Sequence, residues 1–182
     1  MTIARGTPQL ERYRSYKLIQ MRSFTASVDL DLADGDEGVL LAHGDQGGGY
    51  SLYLEGSDLV YAHNAYCTMH ELRVPRPAAG TKDITVDVEA PGKWMWTVRV
   101  LADGTELGSL GELEMIAFMA PFQGIDVGLN RRSPVDWGVH ERHGTFPFTG
   151  TLRTVTYTPG EPAPDAGIRW LDMLKEMGAR FE

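Results

Sequence analysis

The chain has 182 residues, 42% of them hydrophobic and 23% charged, the balance of a soluble globular protein long enough to bury one sizeable core. A formal net charge of −8 argues against nucleic acid as a partner, because that affinity comes mainly from basic groups on phosphates. The single cysteine excludes an internal disulfide, and neither a signal-peptide core nor an apolar run near the ~20 residues of a membrane span is present, so a cytoplasmic protein with no membrane partner is expected.

Residues 1–22 show no clear period; Tyr13, Tyr16, Leu18 and Ile19 predict a lead-in packed on the strands after it rather than a free tail. From Ser23 the chain alternates, with Phe24, Ala26, Val28, Leu30 and Leu32 on one side and polar residues on the other, which predicts a half-buried strand. Asp34-Gly35-Asp36 turns the chain into Val39–Ala42, Tyr50–Leu54 and Leu59–Ala62, three short apolar runs joined by Gly-rich turns. Val, Leu and Tyr fit a pleated surface and Gly supplies the turns, so this stretch reads as an antiparallel meander at the centre of a sheet. Met69–Val74 and Asp83–Glu89 follow as strands, then Trp94–Val100 and, past the hairpin signal Asp103-Gly104, Thr105–Leu107. Leu113–Phe122 is strongly apolar, Gly124–Gly128 is a short strand, Leu129–Thr145 reads as a polar loop rich in Arg and His, and Thr151–Tyr157 is the closing strand. Pro159–Pro164 reads as a stiff linker. Beyond it, Asp165 caps a helix whose face of Trp170, Leu171, Leu174 and Met177 is expected to dock, with Gly178 as its stop. The expected layout is a lead-in over 1–22, a mainly β antiparallel sandwich over 23–158, and a Pro-rich linker with a C-terminal helix over 159–182.

The chemistry-bearing residues support a binding surface better than an active site. His43 and His63 flank the Gly-rich turn, and His140 and His143 have a spacing that suits metal on a helix. Gly138, Gly144 and Pro147 argue for a loop there, and no Asp or Cys set completes a tetrahedral site, so no metal or other cofactor is expected. Gly47-Gly48-Gly49 lacks the Lys-Ser/Thr ending and following helix of a phosphate cradle and reads as a hairpin turn. Asp83, Asp87 and Glu89 share a strand face, which a solvent-facing side explains without the paired carboxylates of glycoside hydrolysis. Sugar sites in sandwiches stack aromatic faces on sugar rings among polar groups. Tyr53, Tyr61, Tyr66 and Trp137 with Arg131, Arg132, His140 and His143 offer such groups; Arg131, Trp137, His140 and His143 are the candidate ligand-binding residues. Met115, Phe118 and Met119, apolar on both strand faces, mark a candidate interface with a catalytic partner or in a homodimer.

Several spaced motifs also carry a family resemblance. Gly38-Val-Leu-Leu-Ala42, the Gly-rich turn, Tyr50-Ser-Leu-Tyr53 and Leu59-Val-Tyr61 resemble the C-terminal domain of the large bacterial arylsulfatases. So do Thr7-Pro-Gln-Leu-Glu-Arg-Tyr13 with Arg22-Ser-Phe-Thr25, and Asp126-Val-Gly128 with Ser133-Pro134-Val135 and Phe146-Pro-Phe-Thr-Gly-Thr-Leu152. The resemblance implies a concanavalin A-like (laminin-G-like) jelly roll with a helical tail. It also implies a non-catalytic accessory role beside a sulfatase catalytic domain. The alternative is a stand-alone carbohydrate-binding, lectin-like module, with sulfated glycans among its candidates. Sulfatases make formylglycine from Cys or Ser in a Cys/Ser-x-Pro-x-Arg motif. Cys67 has Met69 and Glu71 at the Pro and Arg places, so it reads as an ordinary thiol and no catalytic residue carries over.

Overall fold

The computed structural model describes residues 1–116 and 123–180. Its elements are β1 (Thr2–Ala4), α1 (Arg12–Ile19), β2 (Arg22–Asp31), β3 (Gly38–Asp45), β4 (Gly48–Glu55), β5 (Asp58–Ala65), β6 (Thr68–Pro75), β7 (Asp83–Gly92), β8 (Met95–Ala102), β9 (Thr105–Glu114), β10 (Ile125–Val127), α2 (Trp137–His143), β11 (Thr151–Pro162) and α3 (Ala166–Arg180). They form two antiparallel sheets, β1-β11-β2-β7-β8-β9 and β10-β3-β4-β5-β6, stacked as a mainly β sandwich of jelly-roll type with a helix after the last strand.

The period-two pattern of β2 does what alternation should. Phe24, Ala26, Val28 and Leu30 point into the sandwich. Their neighbours stay outside, where Ser27 bonds Thr85 at 2.6 Å and Arg153 grips Asp29 and Asp31. The meander behaves differently, since nearly every residue of β3, β4 and β5 is buried. Tyr50, Leu52 and Leu54 of β4 face the first sheet, while Ser51 and Tyr53 face away from it. Those outer positions are covered by a second apolar cluster of Val39, Ala42, Tyr53, Val60, Ala62, Val135, Val139 and Phe146, supplied partly by the segment 129–148. That segment is strapped to β3 and its surroundings by backbone bonds from Val39 N to Phe146 O (2.8 Å), Phe148 N to Gly128 O (2.9 Å) and Thr149 N to Glu37 O (2.8 Å).

Between the sheets the core carries polar rings among its apolar side chains. His43, Tyr50, His63 and His70 stand opposite one another across β3, β4, β5 and β6. His63 Nε2 lies 2.8 Å from the Glu114 carbonyl, which only accepts, so Nε2 carries the proton and Nδ1 is left to accept from Tyr61 OH at 3.4 Å. On the other side Tyr50 OH donates to Tyr157 OH at 3.0 Å, so His43 Nδ1 donates to Tyr50 OH at 3.2 Å. Phe24 closes the cluster edge-on to Trp96, 5.5 Å between ring centres. Tyr53 and Tyr61, offered by the sequence as sugar-facing rings, are both fully buried: each fills one face of a sheet that is covered on both.

The structure adds detail to the lead-in and corrects several later expectations. The lead-in contains β1, paired with β11, and α1, which Glu11 caps by accepting from Tyr13 N and Arg14 N. The stiff linker expected over Pro159–Pro164 is largely strand, because β11 runs on to Pro162, which lies opposite Arg22. α3 continues past Gly178, and the Asp165 carboxylate, expected at its first amides, accepts instead from Lys93 N at 2.9 Å and Arg169 Nε at 3.1 Å. Of the face expected to dock, Leu171 and Leu174 are 57% and 45% exposed, and the side chains of Trp170 and Met177 lie outside the described ones. Met115 does not lie on an outer face: it comes just after the end of β9 and is buried in the core, while Phe118 and Met119 lie outside the described residues. At the outer edge of the first sheet, β9 takes two extra residues relative to β8, one between the Trp96 and Val98 pairings and one between those of Val100 and Leu101.

The two buried histidines set an acid limit. Burial holds His43 down to about 3 and His63 down to about 4, the Glu114 bond only partly offsetting the second. Both folded values lie below the ordinary value of 6.5, so the unfolded chain takes up protons first as pH falls. Stability is therefore complete above pH 6.5 and declines below it by about 1.4 kcal/mol per pH unit per histidine, until the folded rings themselves titrate. Denaturant unfolding between pH 6 and 4.5 should show a loss of roughly 3 kcal/mol; a flat profile over that window would contradict the neutral buried rings.

Candidate functional site

The segment that covers the outer face of the meander also carries the predicted sugar-binding residues. Residues 137–143 form a helix rather than the expected loop. Asp136 makes the difference, since its Oδ1 accepts from Val139 N at 3.1 Å and caps the first turn. Gly144, at φ +70, ends the helix and returns its N–H to His140 O at 2.8 Å. The glycines read as loop markers are a helix residue, Gly138, and the stop itself.

α2 is held at both ends. Asp136 Oδ2 accepts from Tyr53 OH at 3.2 Å, so one carboxylate caps the helix and ties it to β4. At the other end Glu55 accepts from Arg142 Nε (2.9 Å) and Nη2, and from His143 Nε2 at 2.8 Å, while Arg73 of β6 stands 3.5 Å from the same carboxylate. Burial opposes the charge on Glu55, but the bonds from His143 and Arg142 outweigh it and hold the carboxyl below its usual range. His143 also stacks flat on Phe146, ring centres 4.2 Å apart. Val139 fills the space between the two anchors.

The structure brings Trp137 and His140 together and gives Arg131 and His143 protein partners. Trp137 is 50% exposed, with its ring 5.2 Å from that of His140 and tilted by 32°. Arg131 lies in the loop before α2. Its Nη2 donates to Thr7 O at 3.3 Å and its Nε stands 3.5 Å from Asp126 Oδ1. Asp126 is almost wholly buried on β10; burial pushes its carboxyl up, against the pull of Arg131, whose N–H donates to Oδ2 at 2.9 Å, and of Gln9. A cavity of about 10 Å³ beneath α2, lined by Ser51, Tyr53, Asn130, Asp136 and His140, is far too small for a sugar. The space beneath the helix is thus closed to a sugar, and Trp137 lies exposed on its outer side.

Sequence reasoning missed the two anchoring carboxylates, Glu55 and Asp136. An Asp three residues ahead of the apolar Val139 is a cap signal, but Gly138 and Gly144 argue locally for a loop. Glu55 carried no local signal, because its partners lie 87 and 88 positions away. Cys67 is exposed in the turn between β5 and β6, where its N–H donates to Asn64 Oδ1 at 2.8 Å. Among the described residues, no cluster of three or more His, Cys, Asp or Glu side chains is arranged to hold a metal. No described helix is long and apolar enough to cross a membrane.

Solved structures give a close architectural parallel. The chain is similar to the CBM40 module of the Ruminococcus gnavus IT-sialidase, with a TM-score of 0.56 and 13% identity over 91% of this chain and 94% of that one. The same module bound to alpha2,6 sialyllactose matches with a TM-score of 0.54 at 14% identity, over 91% of this chain and 92% of that one. The likeness establishes the fold. A leech intramolecular trans-sialidase, complexed with 2,7-anhydro-Neu5Ac, matches with a TM-score of 0.51 and 15% identity over 90% of this chain and 26% of that one. No family model and no curated protein matches the sequence.

Glu55→Gln removes the charge that gathers Arg142, His143 and Arg73. The pairs are partly exposed, so the expected loss is about 1 kcal/mol, with the larger effect on α2 itself. Hydrogen exchange at the His140 and Gly144 amides should quicken several-fold while the β4 and β5 amides stay protected; unchanged exchange would show that Asp136 and Val139 seat the helix without Glu55.

Proposed function

We propose that the chain is a non-catalytic carbohydrate-binding module whose ligand stacks on Trp137 beside His140. The observation that carries this reading is the exposure of a large aromatic ring on a helix fixed at both ends. An indole held this way presents a flat apolar face to the C–H side of a sugar ring, and little side-chain freedom is lost when the sugar arrives. His140 stands beside it, with the charged groups of Glu55, Arg142 and Arg73 on the same side of the sandwich. The class is supported by the Ruminococcus gnavus neighbour, a carbohydrate-binding module by name that is also solved bound to sialyllactose. Arg131 and His143, spent on Asp126 and Glu55, serve this surface by bracing the loop and the helix. The other reading, an accessory domain seated against a sulfatase catalytic domain, gains no support from these likenesses.

A glycan array that includes neutral, sialylated and sulfated oligosaccharides tests the proposal directly. Selective binding is expected, weakened at least tenfold by Trp137→Ala and less by His140→Ala, with the melting temperature preserved in both. An array without selective binding, or binding indifferent to Trp137→Ala, would sink it.

A further inference from the structure

We propose that the groove between α1 and the start of α3 binds an anionic group, a carboxylate, sulfate or phosphate, through Lys17 and Arg22. The groove, about 500 Å³, is lined by Lys17, Gln20, Met21, Arg22, Pro162 and Gly167, among others. It lies where β2 begins and β11 ends, since Arg22 stands opposite Pro162 in the sheet. It is carried independently of the Trp137 surface.

Charge gives the first reason. In a chain of net charge −8, residues 12–22 hold Arg12, Arg14, Lys17 and Arg22 without one carboxylate; Arg14 is paired with Glu11 just ahead of them at 3.8 Å, and Lys17 and Arg22 are the two cations that line the groove. Elsewhere cations are mostly neutralised: Arg73, Lys82, Arg99, Arg131, Arg142, Arg153 and Arg169 each sit against a carboxylate. Among the described residues neither Lys17 nor Arg22 makes an ion pair or a side-chain hydrogen bond, and Arg22 Nε is buried with no acceptor. A buried guanidinium N–H without a partner is costly, and an anion in the groove would satisfy it. Asp165, near in sequence to the groove's wall, does not fill this need, being committed to Lys93 N and Arg169.

Shape gives the second. Gly167 on the groove wall has nothing within 4 Å of where a Cβ would stand, so a ligand can come close to backbone there. Gln20 adds an uncharged donor and acceptor, and Met21 and Pro162 give an apolar floor. Cations gathered in a cleft concentrate field there more than the same charges on a convex surface. The arrangement suits a small anion, or the acidic group of a larger molecule lying along the groove.

The test is an amide NMR titration of the full chain with inorganic phosphate, with sulfate and with glucuronic acid, glucose serving as the neutral control, all at constant ionic strength. Saturable shifts are expected at Gln20, Met21, Arg22 and Gly167, with none from glucose. Arg22→Gln should weaken binding about tenfold, the loss of one charge-assisted contact. Lys17→Gln, at an exposed position that cannot threaten folding, should weaken it several-fold. Tighter binding of glucuronic acid than of phosphate would identify an acidic sugar as the source of the anion, and equal binding a free anion. Shifts that do not saturate, that spread equally over other basic residues, or that persist in both variants would overturn the proposal.

Discussion

The strand at the centre of the second sheet cannot tolerate water on either side. β4 turns Tyr50, Leu52 and Leu54 toward one sheet and Tyr53 toward the other side, and all four are fully buried. A two-layer sandwich covers only one of these faces. The other needs its own lid, and the segment 129–148 supplies it with Val135, Val139 and Phe146. Each such side chain removed from water contributes roughly 2 kcal/mol, so the lid belongs to the fold, and its polar outer surface comes with it. The candidate ligand surface exists because the meander is apolar on both faces.

That dependence explains why the anchors are carboxylates. A helix of seven residues has no standing of its own in water. The two carboxylates fix it at opposite ends: Asp136 caps the first turn and accepts from Tyr53 of the sheet, and Glu55, at the end of β4, holds Arg142 and His143 of the last turn. Trp137 is left as the large ring that the arrangement does not consume.

Much of the fold was legible in the sequence. Five apolar residues at period two from Phe24 to Leu32 announce a half-buried strand, and the three runs of the meander with their Gly-rich turns fall where β3, β4 and β5 lie. The resemblance drawn from that same stretch led to the right architecture, a jelly roll, while its sulfatase association remains without support. What could not be read was what covers what. Tyr53 and Tyr61 look like sugar platforms only while the second face of the sheet is assumed open, and period alone does not say which faces are closed. The helix over 137–143 was hidden because Gly138 and Gly144 weigh against a helix locally, whereas its stability comes from Tyr53 and Glu55, far away in the chain. The partnering of Arg131 with Asp126 was likewise beyond local patterns, although both residues lay within stretches already singled out.

The irregularity of β9 has a bearing on how copies of the molecule meet. An outermost strand normally offers a straight row of free N–H and C=O groups to any passing extended segment. Here two extra residues break the row, and Glu112, at φ +56, twists the backbone at one of the breaks. A second strand laid alongside would match the spacing for only two or three residues before falling out of step. The edge at β9 is thus a poor template for a further strand, and a strand-rich chain has one fewer place at which copies can be added edge to edge.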